Sequence, residues 1–405
     1  MHSYELLNFP SREHNLKKHL VDNLKISRLL AQILINRQIT GLSEAKDFLV
    51  PDIKCMRNPF LFADMKKAVE RIKQSAKSKE RVLIFGDYDV DGITSVAVLK
   101  SALDKLRIDS LIYIPDRIKE GYGLVSSIAK KAKAQGIGLL ITADCGISNR
   151  DEVEELRKNG IDTIITDHHQ PHGEDLPRAF AIINPKVNNS GYPFRELAGV
   201  GVAHKLCYAL LGEKSLEDLD LVALGTIADV VPLTGENRII VREGLKFLPK
   251  SKRPGLRALL EKSGIKNKKI STTFVSFILA PRLNAAGRMD SAQLALDLLL
   301  SREDAKAFKI AEMLESHNRL RQRIENKIMD EALAVIDKEV NFQDHKVIVV
   351  AKENWHHGVL GIVASKLADR FYRPTIVISL GEDLCKGSGR SIKNFHLFKA
   401  LKECK

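Results

Sequence analysis

No stretch of this chain of 405 residues approaches the roughly 20 consecutive apolar residues that cross a bilayer. Its first residues, Met1-His2-Ser3-Tyr4-Glu5, lack the basic-then-apolar order of a secretory signal. Cysteine is sparse. The five (Cys55, Cys145, Cys207, Cys385, Cys404) are scattered, and no Cys-x-x-Cys pair occurs among them. This disfavours a disulfide framework and a structural zinc site, and fits a reducing compartment. Cys145 follows Asp144, an acidic neighbour that would raise a thiol pKa, so it reads as small apolar filling. Tryptophan occurs once, at Trp355, where base stacking and a core role are equally open. Internal repeats and low-complexity tracts are missing too. The expectation is a cytoplasmic protein with no membrane partner.

What is present is basic and core-forming. Hydrophobic residues make up 44% of the chain, enough for real cores. The length suggests roughly two to four domains. A formal net charge of +13 favours encounters with polyanions such as nucleic acid.

Apolar spacing predicts helical structure over residues 15–49 and a helix from Met65 to about Ser78. Short β-branched runs then predict strands at 81–86, 108–114, 138–143, 162–166 and 179–183. They alternate with helices at 93–106, 123–135 and 150–159. Such alternation implies a mostly parallel sheet covered on both faces. Residues 199–300 read as mainly helical, with a helix over 218–229. A long amphipathic helix over 303–339, with apolar positions at Phe308, Ala311, Leu314, Leu320, Ile324, Ile328 and Leu333, is expected to span between domains. A second α/β unit follows, with strands starting at Lys346 and Thr375 around a helix near 359–370.

Carboxylates recur where the buried runs stop, and open α/β sheets bind ligands at that edge. Gly86-Asp87-Tyr88-Asp89-Val90-Asp91-Gly92 closes the first strand. A turn beginning at Gly86 would bring three acids to one cavity, where they need a cation to stay ionised together. Asp144 ends the third strand, and Asp167-His168-His169 ends the fourth. Asp229 sits at the C-terminal end of an apolar helix, where the macrodipole disfavours an acid unless a cation holds it. Carboxylates and imidazole without thiolates favour Mn²⁺ or Mg²⁺. Two such ions can activate water and clamp a phosphoryl oxygen, so the reaction class is phosphoester or phosphoanhydride hydrolysis.

These residues resemble the DHH phosphoesterase superfamily, and within it the RecJ family of single-strand-specific exonucleases. The resemblance rests on the segments at Gly86–Gly92, Asp167–His169 and Thr142-Ala143-Asp144-Cys145-Gly146. Further segments are Pro115-Asp116-Arg117 with Glu120-Gly121-Tyr122-Gly123, Leu224–Leu233, Pro281–Arg288, Trp355–Ser365 and Gly387-Ser388-Gly389-Arg390-Ser391. It implies a DHH catalytic domain with a mostly parallel sheet, joined by a long helix to a DHH-associated α/β domain. The expected division is an N-terminal helical region (1–60), the catalytic domain (61–302), the connecting helix (303–340) and a partial DHH-associated domain (341–405). The family's pattern continues past the serine-arginine segment, so the second domain is expected to be incomplete.

The resemblance also implies roles. Asp87, Asp89 and Asp144 would hold one ion; Asp91, Asp144, His168 and Asp229 would hold the other, with Asp144 bridging. His169 would contact the scissile phosphate or assist proton transfer, and Asp167 would orient His168. Arg117, Arg288, Ser388 and Arg390 would bind DNA phosphates. The implied activity is 5′→3′ hydrolysis of single-stranded DNA, with a single-strand-binding protein or a helicase as a possible partner. Two alternatives stand beside it: a phosphodiesterase of the same superfamily acting on short oligonucleotides or cyclic dinucleotides, and an inactive DNA-binding protein.

Overall fold

Short apolar runs bounded by polar helices can bury both faces only as central strands, and they do so here. The computed structural model describes residues 11–117, 119–171, 173, 175–264, 269–382 and 384–404; the segment Met1–Glu5 lies outside them. Three small helices lead the chain, α1 (Ser11–Leu24), α2 (Arg28–Asn36) and α3 (Leu42–Leu49), around a minor core of Leu20, Ala31, Leu34, Ile39 and Ala45. The α/β unit then runs α4 (Met65–Ser78), β1 (Arg81–Gly86), α5 (Val90–Lys105), β2 (Ser110–Tyr113), α6 (Ile128–Ala134) and β3 (Ile137–Ala143). It continues with α7 (Arg150–Lys158), β4 (Asp162–Thr166) and β5 (Ala181–Ile183).

All neighbours in this sheet are parallel, in the order β2-β1-β3-β4-β5. Strand alternation splits the core in two. Val82 and Ile84 of β1 face one hydrophobic cluster, while Leu83 and Phe85 face the other. The order reverses between β1 and β3, and ligands bind where a doubly wound sheet makes that switch.

Helices α8 (Gly199–Leu211), α9 (Leu219–Ala228), α10 (Gly235–Phe247) and α11 (Pro254–Lys262) follow. A short α12 (Thr272–Phe274) passes through a π turn, Val275–Leu279, into α13 (Ala280–Met289), and α14 (Gln293–Leu300) comes next. Helix α15 (Asp304–Glu339) belongs to both cores. Ala307, Ile310, Ala311 and Leu314 join the first, and Ile328, Ala332 and Ile336 join a second. Between them the buried stripe turns polar: Asn318, Arg321 and Glu325 are buried, and Arg321 donates to both of the others. The expected apolar face is corrected accordingly. Phe308 and Leu320 are exposed at 38% and 40%, because each lies beside the buried stripe of α15 rather than on it.

The second core packs β6 (Ile348–Glu353), α16 (His357–Phe371) and β7 (Thr375–Leu380). Trp355 is buried there and donates from Nε1 to Glu331 at 2.8 Å, which settles its role as core. The glycine-rich segment Lys386–Arg390 is a strand, β8, antiparallel to β7; α17 (Leu397–Glu403) closes the chain. No helix among the described residues is long and apolar enough to cross a membrane.

Candidate metal centre

Three aspartates leave adjacent strands at the switch point. The backbone N–H of Asp87 donates to Ala143, that of Asp144 to Thr166, and that of Asp167 to Ile183. The ladder thus continues one residue past each strand. Asp144 then adopts φ +64°, a left-handed conformation rare for a side-chain-bearing residue.

Asp89 and Asp91 reach the same place differently from the simple turn expected. Asp89 is the N-cap of α5 and accepts from Gly92 N at 3.1 Å. Asp91 sits in the first helical turn and is buried. Its carboxylate accepts from Gly199 N at 2.7 Å and Val200 N at 2.8 Å, so the first turn of α8 grips it through otherwise orphaned amides. Two glycines make room. A Cβ on Gly92 would lie 2.4 Å from the Asp87 carbonyl oxygen, and one on Gly199 would lie 2.3 Å from Asp144 Oδ1.

Ligand atoms of Asp87, Asp89 and Asp144 lie within 4.8 Å of one another, as do those of Asp91, His168 and Asp229. His168 Nε2 is 3.2 Å from Asp144 Oδ1, 3.5 Å from Asp229 Oδ2 and 3.7 Å from Asp91 Oδ2. Burial holds the His168 imidazole below its ordinary value despite the nearby Asp91 charge, so the ring is neutral and its lone pair free.

Burial pushes Asp87 up to about 8, with Asp89 adding repulsion. Burial also raises Asp91 to about 7, beside Asp229, and Asp229 to about 7, beside Asp89. Asp144 is raised well above the carboxylate range by burial and by Asp91, Asp89 and Asp87. Asp87 Oδ1, Asp144 Oδ1, Asp229 Oδ2 and both His168 ring nitrogens are buried without hydrogen-bond partners. Buried polar atoms are normally paired. Here the carboxylate oxygens and His168 Nε2 converge on a space whose donor set suits a hard divalent cation.

Asp167 holds the His168 backbone and also the His169 ring. Its Oδ1 accepts from the backbone N–H groups of His168 and His169 and lies 2.8 Å from His169 Nδ1; Oδ2 accepts from Ile147 N. A carboxylate only accepts, so the His169 proton sits on Nδ1 and Nε2 is left free. Burial alone would lower His169, but Asp167 holds it above its ordinary value. Burial alone would raise Asp167, but its bonds to the His169 ring, the His169 N–H and the Ile147 N–H, with the His169 charge, hold it below its ordinary value. Tyr122, from the Glu120–Gly123 segment but given no role from the sequence, adds a partner: its hydroxyl lies 3.0 Å from His169 Nδ1 and 3.3 Å from the Asp144 carbonyl oxygen.

The cationic residues fall into two places. Arg117 stacks over the Tyr88 ring at 4.7 Å. Arg288, on α13, donates to the Gly358 carbonyl at the start of α16 with 2.9 Å separation, bridging the two cores. Burial, with Arg117 and Arg321 nearby, lowers it to about 10. Ser388 and Arg390 lie on β8 instead. Arg390 donates to Ser365 Oγ and to Ser388 Oγ, at 3.0 and 3.2 Å. None of those partners belongs to the carboxylate group.

Residues 81–226 match the DHH family N-terminal domain, and residues 344–405 match the DHHA1 domain. A solved structure described as exonuclease RecJ bound to manganese superposes with TM-score 0.75 at 34% identity, covering 87% of each chain. The chain belongs to the RecJ family. RecJ from Thermus thermophilus, solved with Mn²⁺, matches with TM-score 0.83 and 31% identity over 98% of this chain and 56% of its own. The single-stranded-DNA-specific exonuclease RecJ of Bacillus subtilis (strain 168) is 45% identical over 390 residues. This chain spans 49% of that RecJ's length.

Proposed function

We propose that the chain hydrolyses single-stranded DNA from its 5′ end to 5′-mononucleotides, using two divalent ions, Mn²⁺ or Mg²⁺, in DNA repair and recombination. The observation that carries the reading is the convergence of Asp87, Asp89, Asp91, Asp144, His168 and Asp229 on a buried space lined by unpaired oxygen and nitrogen atoms. Relatives named as single-stranded-DNA-specific exonucleases, one of them solved with Mn²⁺, support it.

In this reading Asp87, Asp89 and Asp144 hold one ion. Asp91, His168 and Asp229 hold the second, with Asp144 shared. Bound there, the pair would supply a water of lowered pKa and neutralise charge on the phosphodiester. The protein's own residues do the rest. The α8 amides fix the position of Asp91 and favour its charged form against burial. His169, held by Asp167 through Nδ1, presents Nε2 to the scissile phosphate and moves a proton there. Arg288 and Arg117 bind the phosphates entering the cleft, where a guanidinium can engage two oxygens at once. Ser388 and Arg390 hold the 5′ end on β8. Residues 1–60 form an accessory helical region, 61–302 the catalytic domain, 303–340 the connecting helix and 341–405 part of the substrate-binding domain. Proteins that expose free 5′ ends, such as a single-strand-binding protein or a helicase, are the fitting partners.

The test is a digest of end-labelled single strands with Mn²⁺, run beside Asp144→Ala. The 5′ label should leave first as a mononucleotide, and the variant should be at background. Release of the 3′ label first would refute the polarity, and equal rates in both proteins would refute the site.

A further inference from the structure

Helices α5 and α9 each have an end at the carboxylate group and an end at a separate cavity. Asp89 and Asp91 open α5, whose 16 residues span about 24 Å; Lys100, Ser101 and Lys105 on its last turns line the cavity. Asp229 caps the C-terminal end of α9, while Asp218 and Asp220 at its start line the same cavity. Its volume is about 1010 Å³, at the upper end of small-molecule sites.

The floor is polar and already satisfied. Asp218 and Asp220 are buried, bound by Ser101 at 3.1 Å, by Ser251 at 2.6 Å and by Arg253. Phe247, exposed at 48%, stands with Pro254, Leu299 and Leu300 as an apolar wall. Seven cationic side chains line the space against five carboxylates. Lys105, Arg253 and Arg257 are engaged by carboxylates in the lining, and Lys100 by Asp104. The excess is Lys250 and Lys252, both exposed, which enter no ion pair or side-chain hydrogen bond among the described residues. Arg302 sits beside them, its side chain 86% exposed and held only by Asp104 at 3.3 Å.

We propose that this cavity is a second site, distinct from the metal centre, that binds a nucleoside phosphate. The phosphate meets Lys250, Lys252 and Arg302, where unpaired ammonium groups form charge-assisted hydrogen bonds without first breaking an internal pair. The base stacks on Phe247. A free anion without a ring would use only the cationic half, so the apolar wall selects the nucleotide.

Calorimetric titration of dAMP into the whole chain in EDTA, with inorganic phosphate as a second arm, tests this. EDTA keeps divalent ions from recruiting phosphate to the carboxylate group. One saturable dAMP site is expected, with phosphate binding roughly tenfold weaker or worse. Lys250→Glu with Lys252→Glu should weaken dAMP roughly tenfold or more, and Phe247→Ala should weaken dAMP while leaving phosphate unchanged. All three residues are exposed, so unchanged melting temperatures are expected. Failure of dAMP to saturate, equal binding of dAMP and phosphate, or undiminished binding in both variants would overturn the proposal. None of these residues belongs to the metal centre, so the end-label assay stands or falls separately.

Discussion

Replacing Gly199 with alanine adds one methyl group and aims it at the centre of the site. Its Cβ would lie 2.3 Å from Asp144 Oδ1, 2.6 Å from Cγ and 2.7 Å from Cβ. An ordinary contact needs about 3.4 Å, so either the carboxylate or the helix must move by about 1 Å. The helix cannot retreat freely, because Gly199 N and Val200 N hold Asp91, and both aspartates are buried. The displacement therefore falls on carboxylates assigned to both ions. A misplacement of about 1 Å in a catalytic array costs on the order of 100-fold in rate. Stability should fall by a comparable or smaller amount, since overpacking costs about 1–3 kcal/mol. Gly201→Ala is the control. It lies on the same helix, and its Cβ would meet only the flexible Leu197 side chain at 3.3 Å. Nuclease rate, Mn²⁺ affinity by calorimetry and thermal melting should be measured on both. A Gly199→Ala protein with the parent rate and affinity would refute the claim that this contact sets the Asp144 position.

Two further outcomes follow from the same geometry. Asp87 at about 8 and Asp91 and Asp229 at about 7 lie far above the ordinary carboxylate value near ~4, so the folded chain holds protons that the unfolded chain has lost. Metal-free stability should then fall as pH rises from about 4 through about 8, while stabilisation by added Mn²⁺ grows over the same window; melting curves in EDTA and in Mn²⁺ that stay parallel across it would contradict this. Val230, 82% exposed at φ +62°, is a β-branched residue in the left-handed region, so Val230→Gly should stabilise the chain by about 1 kcal/mol, read as a raised denaturation midpoint.

Much of the centre was legible because buried strands are short, apolar and β-branched, and a polar residue directly after one can only sit at the sheet edge. That is how Asp87, Asp144 and Asp167, with His168 beside it, stand out. The grip on Asp91 was not legible, since its partners lie 108 and 109 residues away and are backbone amides, which no side-chain pattern marks. The role of Tyr122 escaped for a related reason: its segment was noticed, but a single loop tyrosine carries no periodicity, and only the fold brings it to His169. The polar middle of α15 was hidden because Asn318, Arg321 and Glu325 keep the helical spacing of an apolar stripe, with Arg321 bonded to both of the others. The strand β8 was hidden by its glycines, which local propensity counts against a strand; pairing with β7 supplies what propensity withholds.

Parallel strands stand about 4.8 Å apart, and β1, β3 and β4 are consecutive in the sheet. Asp87, Asp144 and Asp167 therefore project like teeth of a comb whose pitch is set by backbone hydrogen bonds. The side chains do not choose that pitch. Asp144 is the middle tooth, with Asp87 on one side and Asp167 on the other. A slip of one residue in β3 would shift that tooth by about 3.3 Å along the sheet and turn it to the other face. Sheet register is thus part of the chemistry: what protects the pairing of β1, β3 and β4 protects the spacing of the charges.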